Sequence, residues 1–374
     1  MRIAVNTRFL LQNKLEGIGW FTYEVLHRLV KLRPGDEFIF FFDRDFDEQF
    51  IFDKNVTGVR LFPPARHPFL WYCWFEWSLV QGLKNQKADL FFSPDGFCSL
   101  ATDVPTLMVT HDIAHHHFPE HVPFLSRWYY NFMVPRYLKR ADHIITVSNF
   151  TKNDIENTYG IASEKLSVAH NGSRSLFRPL AGTEQVEVRR NFSNGSPYFF
   201  YYGAVHPRKN VHRLITAFDG FKNNFESEVK LLIGGRFAWQ TGPVKSAYEK
   251  AVHKKDIHFL GYLSEEYLTS IAGSALAVVY ISGFEGFGLP ILEAMHAEVP
   301  VITSNVSSLP EVAGEAAILV DPENPEDIQS AMHLIWSQPG RRADLIEKGK
   351  RQREQFNWDK TVAVINEKID QMLF

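Results

Sequence analysis

Strand-length apolar runs alternate with amphipathic stretches from one end of this chain to the other, and that alternation restricts it to few folds. RIAVNT, EFIFFFD, ADLFFSPD, TLMVTHD and HIITVS are rich in β-branched and aromatic residues and end in polar or turn residues. Helical periodicity fills the spaces between them, as at 18–32 and 124–140. Strands that are apolar throughout, rather than at alternate positions, are buried on both faces. The arrangement therefore predicts a parallel sheet between two helical layers. The pattern weakens over the polar, turn-rich segment 173–197, then restarts with YFFYYGA, VKLLIGG, IHFLGYL, LAVVYIS, VPVITSN and AAILVD. The expected fold is α/β, with two Rossmann-like doubly wound domains, 1–180 and 190–355, facing across a cleft. Apolar residues at helical spacing over 356–374 predict a closing helix that packs back on the first domain. A length of 374 residues suits two domains of ordinary size.

Composition removes several function classes. A formal charge of -3 argues against a broad nucleic-acid surface. Cys73 and Cys98 lack CxxC spacing and read as buried thiols of a reducing compartment. The first residues open a strand rather than a signal peptide, and no apolar run is long enough to span a bilayer. The expected location is the cytoplasm. Aromatics reach 14%, and two clusters, HPFLWYCWFEW at 67–77 and FLSRWYYNF at 124–132, exceed what strands account for. Core packing explains most of those rings; exposed ones would form a platform for an acceptor sugar or a lipid-linked acceptor.

The densest chemical signal is SGFEGFGLPILEAMHAEVPVITSNVSSLPEV, Ser282 to Val312. A strand ends near Ser282, three glycines make a turn, and Pro290 suits the first turn of a helix. The amides of Gly286, Phe287, Gly288 and Leu289 would then form an anion site at a helix N-terminus. Glu285 stands before that loop and Glu293 just inside the helix. Taken singly, Glu293 reads as a complement to the helix dipole and Glu285 as a solvated turn residue. As a pair bracketing a glycine loop, they suit sugar hydroxyls. HPRKN at 206–210 follows the first strand of the second domain, where Arg208 and Lys209 could neutralise a diphosphate. The pair could equally be two solvated charges before a helix.

EGFGLPILEAM closely resembles the E-x7-E signature of the family 4 retaining glycosyltransferases, which have the GT-B fold. The likeness continues through VPVITSNVSSLPEVAGEAAILVDP, YYGAVHPRKNVHRLITAF, FLGYLSEEYL, VTHD and ITVSNFT, in order and over nearly the whole chain. The resemblance implies that Glu285 meets the donor sugar and Glu293 holds the ribose of a sugar nucleotide. It also implies that the amides after Glu285 touch sugar and diphosphate, that Arg208 and Lys209 lie on the diphosphate, and that Gly203 and Tyr262 join the donor set. His111, Glu285, Arg208 and Lys209 would then be the catalytic residues. The implied reaction needs no metal and no cofactor beyond the donor: the acceptor hydroxyl attacks from the face the diphosphate leaves, and a phosphate oxygen takes its proton. The motifs look most like mannosyltransferases that use GDP-mannose. The implied acceptor is a glycan or lipid-linked glycan of cell-surface polysaccharide synthesis, with peripheral association at the inner face of the membrane. A UDP-sugar donor, a sugar-nucleotide 2-epimerase and a two-lobed sugar-binding protein are the alternatives.

Three features remain to be placed. EGIGW at 16–20 lacks the G-x-G-x-x-G spacing of a nicotinamide-binding turn. In the resembling enzymes, Gly17 and Gly19 would let the backbone approach donor phosphate or acceptor; a plain tight turn explains them as well. Asp43 and Asp45 in FFDRDFDE match the D-x-D of metal-dependent GT-A transferases, but follow the second strand and are expected to form an exposed turn. HDIAHHHFPEH, 111–121, holds five histidines. His111 ends a strand and is matched in the family by a histidine beside the donor sugar. Consecutive His115, His116 and His117 cannot converge on one ion and read as a loop near the acceptor or as exposed. Asp112 either orients His111 or caps the turn.

Overall fold

The computed structural model describes residues 1–12, 15–236 and 242–374. The chain divides into two compact units, Met1–Asn171 with Trp358–Phe374, and Gly172–Asn357. In the first, strands β1 (Arg2–Asn6), β2 (Glu37–Phe42), β3 (Val56–Arg60), β4 (Leu90–Ser93), β5 (Thr106–Thr110), β6 (His143–Thr146) and β7 (Leu166–Val168) form one sheet in the order β3-β2-β1-β4-β5-β6-β7. In the second, β8 (Tyr198–Tyr202), β9 (Lys230–Gly234), β10 (Ile257–Gly261), β11 (Ala277–Tyr280), β12 (Val301–Ser304) and β13 (Ala317–Val320) lie in the order β10-β9-β8-β11-β12-β13. All neighbouring strands pair in parallel. Both sheets therefore carry the Rossmann strand order, with a switch point between β1 and β4 in one and between β8 and β11 in the other.

Every strand read from the sequence is present, and the central ones, β1 apart from Arg2, β4, β8 and β11, are buried throughout. The sequence reading missed β3 and β7. Both are edge strands with half-exposed faces, so neither carries the continuous apolar run that marks the rest. It also missed a helix, Gly182–Ser193, inside the polar segment between the two series. Glu184 accepts the Ala181 N–H (2.9 Å) and pairs with Arg178 (2.8 Å), so local capping supplies what the apolar pattern lacks. The closing helix, Trp358–Leu373, belongs to the first unit and packs against Gly17–Leu32. Trp358 meets the Phe21 ring edge-on at 5.9 Å, and Arg33 pairs with Asp370 at 2.6 Å.

The aromatic clusters divide between two environments. Trp74, Phe75 and Tyr129 are core, whereas Phe69, Trp77, Phe124 and Trp128 are exposed. Cys73 and Cys98 are buried free thiols. Among the described residues, no helix is long and apolar enough to cross a membrane.

Glycine is required where the ends of β8 and β9 approach each other. Gly235 has φ 131°, and a Cβ there would lie 1.8 Å from the Gly203 carbonyl oxygen. Gly235→Ala should destabilise the protein by at least about 2 kcal/mol, because positive φ and a backbone clash act together. A Cβ on Gly17 meets nothing within 4 Å at the start of its helix, so Gly17→Ala should be neutral or stabilising by up to about 1 kcal/mol. Urea denaturation of the two variants reads the contrast directly.

Candidate functional site

In a parallel sheet the segments following the strands emerge on one edge, so the β8–β11 switch point sets two of them side by side. After β8, Pro207–Lys209 form a single turn of 3-10 helix, with the His206 ring accepting the Arg208 N–H at 3.3 Å. The Arg208 carbonyl accepts the Gly283 N–H (2.9 Å), and Arg208 Nη1 donates to the Phe284 carbonyl (3.0 Å). These bonds staple the basic turn to the loop after β11. Lys209 Nζ donates to Glu285 Oε1 (2.5 Å) and to the Tyr280 hydroxyl (2.7 Å), which itself donates to Glu285 Oε1 (2.9 Å).

Glu285 is only 8% exposed, so it is no solvated turn residue. Burial pushes its carboxyl up, yet Lys209 and Arg208 outweigh that and hold it at about 2. The loop beyond is shaped by Ser308, whose hydroxyl lies 2.9 and 2.8 Å from the Glu285 and Phe287 carbonyls, and by Ser307, which accepts the Glu285 N–H at 3.1 Å. Gly286 and Phe287 lead to Gly288, at φ 111°, which caps the helix Leu289–His296. A Cβ on Gly288 would lie 2.7 Å from Leu309.

Glu293, inside that helix, is 2% exposed, and its surroundings go beyond complementing a dipole. Arg174 Nε donates to one carboxylate oxygen (2.7 Å) and the Tyr202 hydroxyl to the other (3.0 Å). Arg174 lies in the segment read from sequence as linker. The structure thus brings Glu285, Lys209 and Arg208 together, and adds Tyr280, Arg174, Tyr202, Ser307 and Ser308, which sequence reasoning missed. A tyrosine ending each of β8 and β11, at the carboxyl edge, was the available signal. Tyr262 lies exposed after β10, an edge strand two places from β8.

In the first unit, the loops after β1 and β4 meet in a buried ion pair. Arg8 Nε donates to Asp95 Oδ2 (2.5 Å), Asn6 Nδ2 donates to the same oxygen (2.7 Å), and the Arg8 guanidinium lies over the Phe97 ring (4.3 Å). His111 follows β5, with Nε2 2.8 Å from the Pro94 carbonyl and its ring edge-on to Phe21 at 4.8 Å. A carbonyl only accepts, so Nε2 carries the hydrogen. Burial lowers the ring's pKa, leaving a neutral imidazole whose Nδ1 is an acceptor.

The other histidines separate. His115 is partly buried beside the Tyr130 ring (5.2 Å), and burial lowers its pKa to about 4. His116 packs on Tyr159, His121 stacks on Phe118, and His117 binds the Asp154 carboxylate at 2.8 Å. Asp112 accepts the Ala114 N–H (2.9 Å), capping the short helix that holds the triplet. Among the described residues, no three His, Cys, Asp or Glu side chains group as metal ligands.

Two readings need correction. Asp43 is buried rather than in an exposed turn: its carboxylate grips the Arg44 guanidinium at 2.6 and 2.7 Å and accepts the Ala65 N–H at 2.9 Å. Asp45 is exposed and paired with Arg60 at 2.5 Å, so the two acids face different partners. Gly19 is needed for packing, since a Cβ there would lie 2.8 Å from the Phe9 carbonyl; together with Gly17 it sits in a helix's first turn, not in a tight turn.

The second unit's switch point thus joins a buried carboxylate to two basic residues, and sequence comparison gives the class of protein. The Glycosyltransferase Family 4 family matches residues 15–173, and the Glycosyl transferases group 1 family matches 183–352. The two matches together span most of the chain, which is a glycosyltransferase of GT-B fold. It is 28% identical over 366 residues to the O-antigen chain mannosyltransferase B of Escherichia coli, covering 94% of this chain and 95% of that one. It is 28% identical over 290 residues to an O-antigen chain mannosyltransferase of Salmonella typhimurium, covering 76% of each. A sucrose-phosphate synthase from Thermosynechococcus elongatus shares the fold at TM-score 0.78 and 18% identity, covering 99% and 98% of the two chains. So does Anabaena HepE, solved with UDP-glucose, at TM-score 0.77 and 16% identity, covering 99% and 100%.

The depressed pKa of Glu285 stabilises the fold above the ordinary value of 4.5, and that contribution is lost as pH falls towards about 2. Lys209→Met leaves the buried carboxylate short of its main partner and should cost on the order of 3 kcal/mol at pH 7. In that variant the carboxyl's pKa should rise, because burial is opposed by Arg208 without Lys209, so acidification relieves part of the penalty. Urea titrations should show the gap between wild type and variant narrowing from pH 7 to pH 4.

Proposed function

We propose that this glycosyltransferase moves a mannosyl group from GDP-mannose, with retention and without a metal, onto a glycan or lipid-linked glycan in polysaccharide synthesis at the inner membrane face. The observation that carries the reading is the pair of buried, partnered carboxylates, Glu285 and Glu293, on either side of the Gly288 loop, with Lys209 and Arg208 alongside. The mannosyltransferases among its relatives support the choice of sugar. The exposed Phe124 and Trp128 support contact with a lipid-linked acceptor at a membrane surface.

On this reading Glu293 takes the ribose and Glu285 the sugar hydroxyls. Arg208, Lys209 and the Gly286–Leu289 amides offset the charge that grows on the diphosphate as its bond to the anomeric carbon breaks. Gly203 gives the backbone room beside the donor, and Tyr262 flanks it. The acceptor oxygen bonds the same face of that carbon, and its proton passes to a phosphate oxygen of the departing nucleotide. His111, neutral and accepting at Nδ1, orients the sugar rather than acting as base. Gly17 and Gly19 place a helix N-terminus in the first unit.

GDP-mannose should raise the melting temperature more than UDP-glucose does; the reverse order would replace the donor. Transfer should survive excess EDTA and give an α-linked product by NMR from the α-linked donor, and a β-linked product would overturn retention. His111→Ala should lower turnover about a hundredfold with little change in donor affinity. Full activity in that variant would remove His111 from the site.

A further inference from the structure

The first unit contains a cavity of about 550 Å³ at the carboxyl edge of its sheet, within the range of roughly 300–1,000 Å³ usual for small-molecule sites. We propose that it binds the acceptor through an acid substituent, a phosphate or a uronate carboxylate on a sugar, held by Arg44 and Arg66. The role as acceptor site rests on the transferase reading above; the preference for an acid rests on the wall itself.

Asp43 builds that wall. One carboxylate oxygen accepts both Arg44 Nη2 (2.7 Å) and the Ala65 N–H (2.9 Å), so a single buried acid fixes Arg44 and the backbone carrying Arg66 on the same side. The Ala65 carbonyl accepts Trp71 Nε1 (2.9 Å), which locks an aromatic wall to the same point, and Trp71 stacks with Tyr130 at 5.8 Å. Arg8 at the floor is neutralised by Asp95. Arg44 is matched by Asp43, while Arg66 is exposed and no carboxylate pairs with it among the described residues. Asp112 and His111 also line it but follow β5, which β1 and β4 separate from β2, so they stand on the side away from Arg44. The cavity is therefore polarised, cationic where Arg44 and Arg66 stand and acceptor-rich at the histidine end. A sugar with an acid at one end and hydroxyls at the other matches both, with the ring against Trp71 and Tyr130. Guanidinium forks suit the planar or tetrahedral oxygens of such an acid.

The test is calorimetric titration of the whole chain without nucleotide, using mannose 6-phosphate, glucuronate, methyl mannoside and inorganic phosphate. At least one acidic sugar should bind about tenfold tighter than both methyl mannoside and inorganic phosphate, the scale of one charge-assisted hydrogen bond. Arg66→Gln, at an exposed position that should not disturb folding, should abolish that preference, and Lys209→Ala should leave it intact. Whether phosphate or uronate binds tighter names the source of the acid. Equal binding of neutral and acidic sugars, equal binding of inorganic phosphate, or an unchanged preference in Arg66→Gln would overturn the proposal. Loss in a Lys209→Ala protein that thermal unfolding shows to be still folded would do so too, by seating the acid in the second unit. Because no donor is present, failure of the transferase reading leaves this measurement standing, and an active transferase without the preference overturns this proposal alone.

Discussion

Because all strands of each sheet run parallel, each sheet has one edge at which its functional segments emerge, and strand order decides which of them are neighbours. At the switch points the neighbours come from distant parts of the chain: Lys209 meets Glu285, and Arg8 meets Asp95. Each junction carries an ion pair, joined by hydrogen bonds from the Arg208 turn to the loop after β11 in one and by the Phe97 ring against Arg8 in the other.

Buried charge is costly unless partnered, and the carboxylates Glu285, Glu293, Asp95 and Asp43 each have a cation in place. The partners also differ in kind. Glu285 has a lysine, a compact point charge, and the Tyr280 hydroxyl, both on one oxygen. Glu293 has an arginine and a tyrosine, one on each oxygen, an arrangement that fixes its orientation.

Burial, not residue type, also separates the histidines. His111 and His115 lose protons easily because water is kept from them, whereas His117 keeps company with the Asp154 carboxylate at the surface. A run that looks like one metal site by composition is distributed over a strand end and a capped turn.

The sequence alone determined the two parallel sheets, since continuous apolar runs are a property of strands covered on both faces, and it located the Glu285–Glu293 loop through glycines and Pro290. It did not show β3 or β7, where edge exposure removes the pattern, nor the Gly182–Ser193 helix, whose stability is in its caps. Only the tertiary structure decided what the charges do. Asp43 and Asp45 differ by two positions in sequence, yet one is buried against Arg44 and the other is exposed, because the β2 terminus turns one side chain towards Ala65. Arg174 became visible as the partner of Glu293 only when the chain brought together residues far apart in sequence. Local propensity records how a segment folds; electrostatic partnership depends on distance in space, which the linear order of residues does not carry.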